Sequence, residues 1–283
     1  MNHAILLLSS RDQRGITATV TNFIYENNGN IVHADQHIDE LSNTFFMRVE
    51  WSLDGFKIDK KNIGEKFTPV AGKFKMIWNL SFTDERPRVA IFTSSRLHCL
   101  HDLLYRHKDG QLNCDIPVII SNHPDAKTVA GYHGIPFHYY PITKQNKLGQ
   151  ERKAMELIKK ENIDLIVLAR YHQIFTGKFV SAFHNRIINI HHSFLPAFAG
   201  KNPYLQAFNK GVKIIGATSH YVTEALDEGP IIEQSTVRVS HRDSLDDLVR
   251  KGEDLEKVVL NRAVRLALEK KILNYGNKTV IFD

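Results

Sequence analysis

Beyond residue 87 the chain carries three runs that are apolar at every position: Val89-Ala90-Ile91-Phe92, Val118-Ile119-Ile120 and Leu165-Ile166-Val167-Leu168-Ala169. A strand with no polar alternate has no face to give to water, so both its sides must be covered. Helices do this in parallel sheets, and the intervening sequence supplies them. The strands expected at 88–93, 118–121 and 164–169 alternate with helical patterns over 98–106, 126–133 (closed by Gly134) and 150–161, with a short extended piece at 135–137. Right-handed crossovers between such strands give a doubly wound, mostly parallel α/β domain. Further strands are expected at 186–191 and 231–234, then helices at 244–251 and 254–271. In the last of these Leu255, Val258, Val259, Arg262 and Leu266 share a helical register that marks a packing face.

The preceding sequence reads differently. Strands at 4–9, 30–38, 44–51 and 74–82 and helices at 16–28 and 59–71 follow one another as βαββαβ, the split ferredoxin-like unit. Thr83-Asp84-Glu85-Arg86-Pro87 is short, polar and closed by proline, which places a domain boundary there: 1–83, a linker at 84–87, and 88–283.

Composition narrows the setting. Only two cysteines, Cys99 and Cys114, are present, so neither a disulfide framework nor a four-thiolate zinc site is possible, and a reducing cytoplasm is expected. The apolar Ile5-Leu6-Leu7-Leu8 is too short to span a membrane and lacks the basic flank of a signal peptide. The formal charge of +6 is spread among interleaved acids with no long basic run, which disfavours a nucleic-acid partner and suits a small anionic one.

Chemistry-bearing residues gather late in the chain. In the strand ending at His191, alternation sets Asn189 and His191 on one face and Ile188 and Ile190 on the other, and Pro196 and Gly200 soon break the pattern. A carboxamide and an imidazole thus sit where a strand opens into a loop, the usual place for active-site residues in α/β sheets. Gly216-Ala217-Thr218-Ser219-His220-Tyr221 follows, then Asp227 between two apolar runs. Singly, His191 reads as a hydrogen-bonded strand histidine and Asp227 as the cap of a turn before Gly229. Their ordered combination points to chemistry.

Asn189-x-His191-x-Ser193-x-Leu195-Pro196, followed by His220 and by Asp227-x-Gly229-x-Ile231, resembles the signature of folate-dependent formyltransferases and formyl hydrolases. Within that group the His191-His192 doublet and the added N-terminal domain are most similar to the formyltetrahydrofolate deformylases. The N-terminal unit, opened by Asp12-Gln13-Arg14-Gly15, resembles an ACT domain, which implies an amino-acid effector near Asp12 and Gly15 and a homodimer or homotetramer.

The resemblance implies hydrolysis of 10-formyltetrahydrofolate to tetrahydrofolate and formate, with the folate as substrate and no further cofactor. Such chemistry needs a held water, donors for an oxyanion and a proton for the departing nitrogen. Asp227 is assigned the water, and His191 and Asn189 the oxyanion. His220, on the face of Thr218, would orient Asp227 or the water, while His192 would point away if the strand continues. The loop Arg170-Tyr171-His172-Gln173-Ile174, with Glu228 and Gly229, is the implied folate-binding set. Burial or Glu228 would raise the Asp227 pKa and make it a base; a cationic His191 would lower it.

The first strand-to-helix loop, Phe92-Thr93-Ser94-Ser95-Arg96-Leu97-His98, has no glycine. The related ribonucleotide formyltransferases carry a glycine-rich loop there for a phosphorylated acceptor. Water is therefore the expected acceptor, with transfer to an amine as the alternative enzyme and a non-catalytic folate sensor as the alternative class. No metal site is expected, since His191 and His192 are adjacent on a strand and no His-x-x-x-His pair on a helix replaces them. Ser193 lacks the Gly-x-Ser-x-Gly context of a nucleophile.

Overall fold

The computed structural model describes residues 2–197 and 202–283. They form two compact units: the chain up to Arg86 with Glu269–Tyr275 and Val280–Asp283, and Pro87–Leu268 with Gly276–Thr279. The chain's end is thus divided between the units, whereas the sequence placed all of 88–283 in one domain.

In the first unit β1 (His3–Arg11), α1 (Ile16–Glu26), β2 (Asn30–Asp39), β3 (Thr44–Ser52), α2 (Ile63–Lys73) and β4 (Ile77–Phe82) follow in order, and the four strands form an antiparallel sheet arranged β2-β3-β1-β4. One sheet face packs Leu6, Leu8, Phe45, Met47, Val49 and Trp51 against Val20 and Ile24 of α1 and Phe67 of α2. Alternation alone would turn Phe46 and Arg48 to water, yet both are buried. Phe46 packs with Val280 and Phe282, and Arg48 Nε donates to the Lys270 carbonyl at 3.1 Å, which is why the chain's end groups here.

The second unit holds β5 (Arg88–Thr93), α3 (His98–Lys108), β6 (Asp115–Ser121), α4 (Ala126–Tyr132), β7 (Phe137–Tyr139), α5 (Lys147–Lys160), β8 (Leu165–Ala169), α6 (Gly177–Ala182), β9 (Ile187–His191), α7 (Pro203–Lys210), β10 (Ile214–Tyr221), β11 (Ile231–Arg238) and α8 (Leu245–Leu268). A closing hairpin joins β12 (Ile272–Tyr275) to β13 (Lys278–Ile281). The seven-stranded sheet runs β11-β10-β9-β8-β5-β6-β7, parallel from β9 through β7 and antiparallel at β9-β10 and β10-β11. Strand order reverses between β5 and β8, so loops leaving their carboxyl ends diverge and open a crevice.

Two helices, α6 and α7, escape the periodicity reading because each is short. The helices expected at 244–251 and 254–271 are one continuous helix of 24 residues. The interruption inferred around Gly252 is not a break: a Cβ there would lie 2.0 Å from Tyr204 Oη, so glycine makes room for a neighbour. The packing face is also rotated from the expected one, with Val258 exposed and Glu256, Val259, Leu260, Ala263 and Val264 buried. Gly200, expected to help end the run after β9, lies outside the described residues.

Candidate active site

Antiparallel pairing of β9 with β10 sets His191 opposite Thr218 and Asn189 opposite His220, so the four side chains share one sheet face. Asp227 arrives from the turn between β10 and β11 with φ +58°, a left-handed conformation that aspartate tolerates. Gly229 makes that turn possible. A Cβ there would lie 1.8 Å from the Tyr221 carbonyl oxygen, so only glycine allows the chain to fold back so closely on the end of β10.

The turn delivers the carboxylate between two imidazoles. His191 Nδ1 lies 3.2 Å from Asp227 Oδ2, and His220 Nε2 lies 3.7 Å from Oδ1. His220 is oriented from behind, where its Nδ1 donates to the Tyr221 carbonyl at 2.9 Å, leaving Nε2 to accept from Asn189 Nδ2 at 3.2 Å. His191 is buried, and its Nε2 has no hydrogen-bond partner among the described residues. Burial pushes the Asp227 carboxyl upward, but its contacts with His191 and His220 outweigh that and hold it well below the usual carboxylate range. Of the two shifts the sequence left open, the structure shows the downward one, so Asp227 is an anion at neutral pH.

Thr218 is fully buried and braces the loop beyond β9. Its Oγ1 donates to the Ser193 carbonyl at 2.8 Å and accepts from Leu195 N at 3.0 Å and from Gln234 Nε2 at 2.9 Å. His192 differs from expectation for a simple reason: β9 ends at His191, so strand alternation stops there. The His192 ring lies 5.3 Å from that of His191 and lines the same cleft. Burial, then the nearby Arg170 charge, brings its pKa down to about 3, so it is neutral.

A cleft of 270 Å³ opens over these groups. Arg170, Tyr171, His172, Gln173 and Ile174 form one wall, Val222 to Asp227 another, and Asn189, His191, His192 and His220 the floor. Arg170 has φ +61°. Tyr171 also belongs to the core, its ring 5.2 Å from that of Phe92. Glu228 and Gly229 do not line this cleft: Glu228 is exposed, its carbonyl accepting from Asn277 Nδ2 at 2.9 Å, and Gly229 serves the turn. Asp12 and Gly15 lie in the first unit, where Gly15, with φ +92°, starts α1 and has open space where a Cβ would project.

Among the described residues the grouping with three close metal-ligand types is His98, Cys99 and Glu256, not the histidines of the cleft. Glu256, together with its partner Tyr204, went unnoticed in the sequence. A signal did exist, since Glu256 falls three and four residues before Val259 and Leu260, on the apolar stripe.

The α/β fold brings Asn189, His191 and Asp227 together in a cleft lined by the loops that follow β8 and β10, an arrangement that marks a candidate active site. A family model described as formyl transferase matches residues 87–264, and one described as ACT domain matches residues 4–66. Formyltetrahydrofolate deformylase of Synechocystis sp. is 56% identical over 279 residues, covering 99% of this chain and 98% of that protein. The crystal structure of a formyltetrahydrofolate deformylase from Pseudomonas syringae pv. tomato is 45% identical with a TM-score of 0.98, covering 100% of this chain and 95% of the other. Glycinamide ribonucleotide transformylase 1 from Symbiobacterium toebii is 32% identical with a TM-score of 0.67, over 72% of this chain and 98% of its own. The chain belongs to the formyltetrahydrofolate deformylase family, which combines an ACT domain with a formyl transferase domain.

Proposed function

We propose that this chain hydrolyses 10-formyltetrahydrofolate to tetrahydrofolate and formate in the cleft floored by Asn189, His191 and His220. The observation that carries the residue assignment is the Asp227 carboxylate held between His191 at 3.2 Å and His220 at 3.7 Å, beside the Nε2 of His191, which has no partner among the described residues. A water accepted by the Asp227 anion attacks the formyl carbon. As its oxygen bonds to that carbon, the carbonyl oxygen becomes an oxyanion that receives hydrogen bonds from protonated His191 Nε2 and from the second amide hydrogen of Asn189. The proton lost by water passes to Asp227, and His191 supplies the proton that lets the folate nitrogen leave as the C–N bond breaks. With its proton affinity lowered, Asp227 serves mainly to position the water and support the imidazolium, holding the proton only in passing.

Water as acceptor agrees with the loop after β5. Ser94 Oγ donates to Asn122 Oδ1 at 2.6 Å and accepts from His172 N at 3.2 Å, while His98 Nε2 engages Glu256 at 2.8 Å. These groups serve the protein's own contacts where a phosphorylated acceptor would need donors. Purified protein incubated with the formylated folate and no amine should release formate and tetrahydrofolate in equal amounts; strict dependence on an added amine would reject hydrolysis. For the ACT domain we propose an amino-acid effector near Asp12 and Gly15. Calorimetric titration with the twenty amino acids should give heat for at least one, and none would leave the domain without this role.

A further inference from the structure

The reaction as proposed leaves one buried charge unused. Glu256 is 0% exposed, on the apolar stripe of α8. An ionised carboxylate in such a place is strongly unfavourable unless paired and hydrogen-bonded. Three other segments supply partners: His98 Nε2 at the start of α3 at 2.8 Å, Tyr204 Oη from α7 at 2.6 Å, and Arg170 Nε from the loop after β8 at 3.3 Å, a charge contact outside hydrogen-bond geometry. Burial pushes the carboxyl up, but His98, Arg170 and Tyr204 together hold it below its ordinary range. The helix itself is shaped around this contact. Gly252, one turn before Glu256, replaces a side chain that would meet Tyr204 Oη at 2.0 Å and Cζ at 2.2 Å. Glycine is among the poorest helix formers, so this clearance is maintained against helix propensity.

Two of these partners lead to the cleft. Arg170 lines it directly, and Tyr204 lies 5.6 Å, ring to ring, from His192, which also lines it. We infer that Glu256 is a positioning residue for the deformylase reaction, its carboxylate fixing Arg170 in one wall of the cleft that receives the folate and, through Tyr204, His192 in its floor. This rests on the cleft being the folate site. Glu256 makes no contact with Asn189, His191 or Asp227, so losing its charge should move the substrate-binding wall more than the groups that act on the formyl carbon. A carboxylate that only stapled α3, α7 and α8 together would affect stability and leave substrate affinity alone.

The test is steady-state kinetics of the full chain carrying Glu256→Gln, which keeps size and most hydrogen-bonding capacity but removes the charge facing Arg170, beside Gly252→Ala, which crowds Tyr204. Both should raise KM by about tenfold with kcat changed by less than about threefold, a loss of uniform binding. Glu256→Ala, if it folds, should lose more of kcat/KM and regain part of it with added acetate, which fits the vacated space; Glu256→Gln decides the matter if the alanine variant does not fold. An unchanged KM in Glu256→Gln, or a loss confined to kcat or to melting temperature, overturns the inference. The reading of the cleft is checked separately by Asp227→Asn: full turnover in that variant would remove the site itself, whatever Glu256→Gln does.

Discussion

His191 Nδ1 and Asp227 Oδ2 stand 3.2 Å apart although one ends a parallel strand and the other rides on an antiparallel turn. The pair leaves the opposite nitrogen of the imidazole, Nε2, buried and without a hydrogen-bond partner among the described residues. An imidazole anchored by a carboxylate on one side presents a fixed proton site on the other, and the proposed mechanism uses that site for the formyl oxygen and the folate nitrogen.

Asp227→Asn should preserve the fold, since the amide is the same size and the turn keeps its conformation. Turnover should fall by about 10²- to 10⁴-fold, the range for losing a positioned acid-base group. Formate release measured beside equilibrium binding of a non-hydrolysable folate separates the two effects. Near-normal turnover would remove Asp227 from the chemistry.

Asn189→Ala removes one of the two proposed oxyanion donors and also the amide that His220 Nε2 faces at 3.2 Å. A single such donor is typically worth about 2.7–4 kcal/mol of barrier, or 10²–10³ in kcat. A drop in kcat with little change in KM is the expected result. A change in KM alone would mean that the carboxamide holds ground-state substrate instead.

His192 predicts a pH dependence of stability. Its folded pKa of about 3 lies below the ordinary 6.5, so between these values the unfolded chain binds a proton that the folded chain refuses. The group therefore favours the folded state fully above about 6.5 relative to acid, and that advantage is lost as pH falls toward 3. In urea titrations at a series of pH values, His192→Gln should flatten the decline between pH 7 and 4. An equally steep decline in the variant would show that His192 is not its source.

Gly229→Ala and Thr218→Val probe the frame. The alanine Cβ would lie 1.8 Å from a backbone oxygen that has no flexible way out, so the turn must shift. A cost of about 3 kcal/mol, at the upper end for overpacking, and loss of activity through a displaced Asp227 are expected. Thr218→Val leaves the Ser193 carbonyl and Leu195 N in need of partners, at about 1–3 kcal/mol. Denaturant midpoints check both. If Gly229→Ala left stability unchanged, the close approach to Tyr221 would not be a constraint.

What the amino-acid sequence determined by itself was a set of features that follow from local period and order: the apolar runs at 88–93 and 164–169 as covered parallel strands, the βαββαβ unit, and Asn189 and His191 on one face of β9. These follow from sterics and hydrophobic alternation over a few residues. The tertiary structure alone decided the contacts made across the chain. It buried Phe46 under Val280 and Phe282, ran α8 straight through Gly252 because Tyr204 needed the space, and turned Glu256 inward to meet Arg170. It also decided the charge of Asp227, because a carboxylate's proton affinity depends on the balance between burial and the two imidazoles beside it, and that balance exists only once β9, β10 and the turn at Gly229 have come together.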